Sequence, residues 1–360
     1  VIEKIPRFAR NDKYSLLKKS FVIPSEARNP NHHEWRKVMR NFALGIGLAT
    51  LLIASAHADG YLWLSAAGSS PASVYRYNLR TGQVDRAIAP ASWGFVHSGD
   101  YNLLAYDGNA LFIGMENDRT LLRVNPYTGA FMSAFGYNMC NCFYGHHYMK
   151  DGAFYEGELW RASPARGNGP GILYVSDRNG VSTGAYYAMD QPLLMRPIGL
   201  EWVGEVLMMT TAQGLYRVNF PEEPLVFEGV PYTLSGIPSG HTLGGLAYNP
   251  QSGAVYLATS SANGASLWQL TLDHDAQTAV ATPADTLTLK GYPSGRQPTA
   301  MGFVPARAGD ADDNGCVDDA DLLIVLFNFG SNNAQADLNR DSIVDDADLL
   351  EVLFNFGSGC

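Results

Sequence analysis

The sequence predicts a mainly β protein: a β-propeller over residues 59–305, followed by a small duplicated loop-and-helix module over residues 306–360. Three observations carry this. Between Gly60 and Pro305, short apolar and aromatic runs alternate with turns of Gly, Pro, Asn and Asp, and no stretch sustains a helical period. Two strand-like phrases recur through that region, offset from one another. Beyond it, "VDDADLLIVLFNFGS" from Val317 returns as "VDDADLLEVLFNFGS" from Val344, a period of 27 residues.

The first recurring phrase leads out of a strand pair: "VYRYNLRTGQV" from Val74, "LLRVNPYTGAF" from Leu121, "ILYVSDRNGV" from Ile172, "LYRVNFPEEPL" from Leu215 and "LWQLTLDHDA" from Leu267. The second leads in: "NLLAYDGNALFIG" from Asn102, "YMKDGAFYEG" from Tyr148, "IGLEWVGEVLMMT" from Ile198, "GGLAYNPQSGAVYLA" from Gly244 and "PTAMGFVPA" from Pro298. Region 59–305 therefore begins with an exit that lacks its entry and ends with an entry that lacks its exit. Those halves complete one blade, as a propeller closed by pairing its two chain ends requires. The count favours five blades; irregular spacing leaves six or seven open. The blades resemble those of a loose class of secreted bacterial propellers, a resemblance of architecture that names no function.

Charge separates the two regions. The net charge is −10 over 360 residues, and residues 309–360 alone hold eleven Asp and one Glu against the single Arg340. No basic face points to nucleic acid. At the other end, "MRNFALGIGLATLLIASAHA" has a basic start, an apolar stretch and a small-x-small Ala56-His57-Ala58, the pattern of a signal peptide over residues 39–58. Its apolar run is too short to span a bilayer, so the expectation is a secreted, extracellular or cell-surface protein with no membrane association after cleavage. Residues 1–38 resemble translated bacterial intergenic repeat and stand outside the fold. The four cysteines, Cys140, Cys142, Cys316 and Cys360, permit two disulfides in three connectivities.

Within the propeller, the loops entering the inner strands carry His97, His146, His147 and His241. "MCNCFYGHHY" gathers Cys140, Cys142, His146 and His147, ligand types that suit zinc or copper. The spacing matches no diagnostic metal motif, and secretion favours oxidised sulfur or loop packing there. Glu156 and Glu158 in "YEGELW" would share a face if that stretch is extended, and so could form an acid–base pair; the plainer reading is a solvated strand face. No nucleophile elbow, zincin helix, phosphate loop or dinucleotide fingerprint occurs in context.

The tail is more specific. "DADDNGCVDDAD" (310–321) and "DLNRDSIVDDAD" (337–348) are twelve-residue loops with oxygen side chains at positions 1, 3, 5, 9 and 12, the spacing by which an EF-hand-type loop wraps Ca²⁺. In the first these are Asp310, Asp312, Asn314, Asp318 and Asp321, with the Cys316 carbonyl at position 7. In the second they are Asp337, Asn339, Asp341, Asp345 and Asp348, with the Ile343 carbonyl. Two calcium ions are expected. The apolar position 8, Val317 and Val344, is expected to pair the loops. Ser342 occupies position 6, where the sharp turn prefers the Gly that Gly315 supplies in the first loop, so the second site should be weaker. An apolar helix stopped by Gly330 or Gly357 follows each loop, too apolar for a module of this size to bury alone.

Asp at position 12, with a helix after each loop and none before, resembles the type I dockerin module. That resemblance covers residues 309–360. It implies a partner-selecting role for positions 10 and 11, here Asp319-Ala320 and Asp346-Ala347, identical in both copies and so compatible with docking in two orientations. It also implies that the module's ends meet, as a Cys316–Cys360 disulfide. The basic residues that follow in cohesin-binding members are absent, which leaves the partner open between a cohesin-like and another extracellular protein. The resulting expectation is a non-enzymatic binding or scaffold propeller on a calcium-dependent attachment module; a polysaccharide-active enzyme or carbohydrate-binding component is the alternative.

Overall fold

A computed structural model describes residues 60–68, 73–95, 101–115, 120–136, 150–164, 171–188, 197–220 and 226–360. Residues 1–59, His97, and the Cys140, Cys142, His146 and His147 cluster lie outside these. Strands β1 (Gly60–Ser65), β2 (Val74–Asn78) and β3 (Gln83–Ile88) open the chain's β region. Blade two is β4 (Tyr101–Tyr106), β5 (Leu111–Met115), β6 (Thr120–Val124) and β7 (Phe131–Gly136). Blade three is β8 (Asp151–Tyr155), β9 (Glu158–Ser163), β10 (Ile172–Asp177) and β11 (Ser182–Ala188). Blade four is β12 (Pro197–Val203), β13 (Val206–Thr211), β14 (Gly214–Asn219) and β15 (Val226–Pro231). After the short β16 (Thr233–Ser235), blade five is β17 (Thr242–Tyr248), β18 (Val255–Ser261), β19 (Gly264–Asp273) and β20 (Thr278–Thr288). The last strand, β21 (Met301–Pro305), returns to β1 and completes the first blade in the order β21-β1-β2-β3.

The protein is thus a five-bladed β-propeller, closed as the offset phrases require. In the closing pair Tyr61 faces Val304 and Trp63 faces Gly302, antiparallel. In four of the five exit phrases an Asn or Asp where the strand ends makes the turn: Asn78, Asn125, Asp177 and Asp273 each accept two backbone N–H bonds from the residues just beyond. Blades three and four also touch at their rims, where β11 and β15 pair in parallel.

The inner strands crowd the axis. A Cβ on Gly244 would strike the Pro298 carbonyl, and one on Gly245 would lie 2.6 Å from the Met301 amide, so only glycine lets β17 approach the closing strand. Asp151, fully buried on β8, accepts backbone N–H bonds from Gly152 (2.9 Å), Leu200 (3.0 Å) and Leu104 (3.5 Å). One carboxyl thereby ties the inner strands of blades two, three and four. Burial holds that carboxyl well above its usual range.

Two short helices follow, α1 (Asp319–Phe327) and α2 (Asp346–Asn355). Each starts in a capping box: Asp318 and Asp345 cap from position 9 of their loops, and Asp321 and Asp348 reach back from position 12. Val317 and Val344 enter one core, as expected of position 8, but their backbones do not bond to each other. Val317 exchanges bonds with Ser358 (3.0 Å) and Gly357 (2.8 Å), after α2, while Val344 exchanges them with Gly330 (2.7 Å) and Ser331 (2.8 Å), after α1. Each loop is therefore held by the segment that follows the other loop's helix. The module's core is small, with Ala311, Val317, Val325, Ala336, Leu338, Val344 and Val352 buried. The Cys316–Cys360 disulfide, as expected from the resemblance, staples the first of these pairings.

The first loop lies against the propeller. Asp313, at the non-ligand position 4, accepts bonds from the Tyr61 hydroxyl and, at 2.8 Å, from Asn78 Nδ2. Arg76, almost fully buried, donates to the Asp313 carbonyl at 3.1 Å and to the Tyr127 carbonyl, pairs with Asp85 at 2.8 Å, and stacks over the Tyr61 ring. A Cβ on Gly315 would sit 2.5 Å from the Tyr127 ring, so loop and blade two are in tight contact. Replacing the Asp313 side chain orphans the buried Tyr61 hydroxyl, at a cost of about 1–3 kcal/mol, and takes one of the two bonds of Asn78 Nδ2, which keeps Asp85 at 3.1 Å. Asp313→Ala should therefore lower the chain's stability by at least that much in chemical denaturation and expose residues 306–360 to limited proteolysis; unchanged protection would contradict this docking.

Candidate metal-binding module and channel mouth

The two loops are built alike, atom by atom. At position 1, Asp310 and Asp337 accept from the backbone N–H groups of positions 5 and 6, at 3.1 and 2.8 Å in the first loop and 3.2 and 2.9 Å in the second. At position 12, one oxygen of Asp321 and of Asp348 accepts from positions 2 and 3, and the other accepts from position 9. Position 5 accepts from the amide of position 7, Asn314 from Cys316 and Asp341 from Ile343. Backbone amides thus hold the oxygen side chains of positions 1, 5 and 12 in place while leaving lone pairs to converge.

Asp310, Asp312 and Asp321 bring carboxylate oxygens within 4.8 Å of one another, and among the described residues this is the cluster that could hold a metal ion. Asp310 and Asp321 are fully buried. The second loop places Asn339 at position 3, so the acids at its ligand positions are Asp337, Asp341, Asp345 and Asp348. An oxygen-only donor set suits a hard divalent cation. Without one, the first cluster is electrostatically costly: burial, then the charges of Asp313 and Asp321, push the Asp310 carboxyl up to about 7, and Asp312 is raised by burial and by Asp321.

Positions 4 and 6 of both loops are left-handed: Asp313 at φ 59°, Arg340 at 62°, Gly315 at 88° and Ser342 at 77°. Ser342 bears strain that Gly315 does not, about 1–2 kcal/mol for a left-handed non-glycine residue. Asp319, Ala320, Asp346 and Ala347 form the exposed first turns of the helices. Beyond them the helices expose matching apolar pairs: Leu323 and Leu350, Leu326 and Leu353, Phe327 and Phe354 (82% and 83%), Phe329 and Phe356.

Among the propeller candidates, His241 is engaged by Thr259 Oγ1 at 2.9 Å and meets the Trp268 ring edge-on. Glu156 and Glu158 do not share a strand face. β8 ends at Tyr155 and β9 starts at Glu158, so Glu156 stands in the turn between them at φ 50°, and Glu158 accepts from Thr183 at 2.9 Å. The site that sequence reasoning missed is at the opposite mouth, where the inner strands end. A cavity of about 460 Å³ opens there among Tyr106, Tyr155, Glu201, Trp202, Tyr248 and Phe303. Its signal was a lone acid in "PIGLEWVG", an otherwise apolar inner strand.

Fold and sites define a propeller carrying a two-loop acidic module. No family model and no curated protein matches the chain. Solved structures similar to it include a glutaminyl cyclase of Myxococcus xanthus (14% identity, TM-score 0.37, covering 52% of this chain and 76% of that one). A chain of a nidogen–laminin complex is similar at 12% identity and TM-score 0.41, covering 68% and 98%. A luciferin-regenerating enzyme is similar at 12% and 0.36, covering 63% and 76%. These are distant fold-level similarities to proteins of unlike activity.

Two outcomes are expected. Ser342→Gly should stabilise the second loop by about 1 kcal/mol, read as a higher melting temperature of the full chain in chelator; no gain would show that Ser342 is unstrained. Because Asp310 is raised in the folded state, its contribution to metal-free stability is present near pH 4 and is lost as pH rises through about 7. Melting in chelator across that range should show the loss, and Asp310→Asn should flatten it.

Proposed function

We propose that the chain is a secreted, non-enzymatic binding or scaffold propeller, attached to an extracellular protein partner, cohesin-like or otherwise, through a calcium-dependent dockerin-like module. The observation that carries this is the duplicated loop. Two twelve-residue segments place the same backbone amides on the carboxylates of positions 1 and 12, around donors that are all oxygen.

Several features support the attachment role. The helices repeat the same apolar side chains at nearly equal exposure, a surface that a soluble module of this size has reason to keep only for a partner. The identical Asp-Ala pairs at Asp319-Ala320 and Asp346-Ala347 border that surface at both helix starts. A partner could then engage either half of the repeat. The module's own core is small, and ligand binding would add folding energy where packing supplies little.

Isothermal titration of the chelated full chain should find two calcium ions per molecule. At a free concentration a hundredfold above Kd each site adds about 2.7 kcal/mol. Calorimetric unfolding should shift upward accordingly, and Asp310→Ala or Asp337→Ala should each remove one ion. An unfolding transition that calcium leaves unmoved would sink the reading.

A further inference from the structure

The mouth at the ends of the inner strands is built from all five blades: Tyr106 ends β4, Tyr155 ends β8, Trp202 stands one residue before the end of β12, Tyr248 ends β17, and Phe303 comes from β21. Its volume, about 460 Å³, falls within the range of small-ligand sites. The chemistry of its wall is one-sided. Glu201 and Glu156 both line it, six aromatic side chains share the wall with small residues and prolines, and none of the described lining residues is Lys, Arg or His. Tyr155 and Trp202 stack at 4.2 Å and 18°, and Trp160 packs edge-on against Trp202 from behind, fixing the pair as a rigid plate.

Glu201 is not consumed by the fold in the way that Asp151 is. Its carboxyl accepts from the backbone N–H of its neighbour Trp202 at 2.9 Å and from that of Tyr248, and it still lines the open cavity. Among the described lining residues an anion finds no cationic side chain. A neutral sugar needs several donors and acceptors, whereas the Tyr106 hydroxyl already donates to the Gly108 carbonyl at 2.8 Å. A cation gains from both the carboxylates and the negative faces of the rings.

We propose that the channel mouth binds a small organic cation, its ammonium group seated against Glu201 and the Tyr155–Trp202 pair. Burial raises the Glu201 carboxyl to about 8, so a bound cation draws off its proton and affinity climbs as pH rises through that value. The titratable groups that line the same cavity are Glu156 from the β8–β9 turn and the phenols of Tyr106, Tyr155 and Tyr248; β21 brings Gly302, Phe303 and Pro305, none of which titrates. The proposal rests on reading the propeller as a binding module and is independent of the tail, so its failure leaves the calcium titration untouched.

The test titrates the calcium-loaded full chain with choline and with butylammonium, each beside its neutral counterpart, dimethylbutanol and butanol, and with cellobiose. Tryptophan fluorescence and calorimetry report binding. At least one cation should bind about tenfold or more tightly than its neutral counterpart, the margin a desolvated cation–π contact with a carboxylate provides. Glu201→Gln, which keeps the shape, should remove that margin while leaving the alcohol unchanged. Trp202→Phe, whose folding is checked by melting, should weaken the cation more than the alcohol. Equal binding of cation and alcohol, tighter binding of cellobiose, or no cation binding at millimolar concentration would overturn the proposal.

Discussion

The contact on which the architecture turns is the buried carboxyl of Asp313. It sits at position 4 of the first loop, where the side chain points away from the converging donors, and it takes the Tyr61 hydroxyl from β1 and the Asn78 amide from the end of β2. Both strands belong to the blade that closes the ring. The chain leaves that blade at Pro305, turns through Arg307, which lies over the Tyr127 ring, and at once lays its first loop back on the seam. Arg76 completes the joint, bridging Asp85, the Tyr127 carbonyl and the Asp313 carbonyl. A buried polar cluster of this kind tolerates no missing member, because each orphaned group would keep its full desolvation cost.

The consequence is a division of labour between two loops of nearly the same sequence. The first is committed: its turn presses Gly315 on Tyr127, Cys316 is tied to the C-terminus, and its carboxylates are the more buried. The second carries the exposed Arg340 at position 4 and the exposed Ser342 at position 6. The helices keep their apolar pairs outward on both sides of the repeat. Position 4 therefore distinguishes the copies, an aspartate that enters the propeller in one and an arginine at the surface in the other.

Much of this was legible in the sequence, and the reasons are physical. Strand phrases ended by Asn or Asp announce turns because those side chains cap the next two amides, and Asn78, Asn125, Asp177 and Asp273 do so. The offset of entries and exits fixes ring closure because β21 must find β1. The loop spacing is legible because ligand positions are local. What local pattern does not contain is distance across the ring. Glu201 and Trp202 meet Tyr155, Tyr106 and Tyr248 only because five inner strands end at one mouth, and Asp313 is a loop residue like any other until Tyr61 is beside it. The pairing of Val317 with Gly357 and Ser358 escaped for the same reason, since a near-identical partner, Val344, offered a simpler pairing on paper.

If the first loop is a structural part of the seam and its carboxylates take calcium, metal and ring closure share one free energy. Hydrogen exchange across the whole chain, with calcium and with chelator, tests this directly. Chelation should speed exchange in residues 309–321 and also in 60–65, 74–78 and 301–305, while blades three and five keep their protection. Faster exchange confined to residues 309–360 would contradict the account.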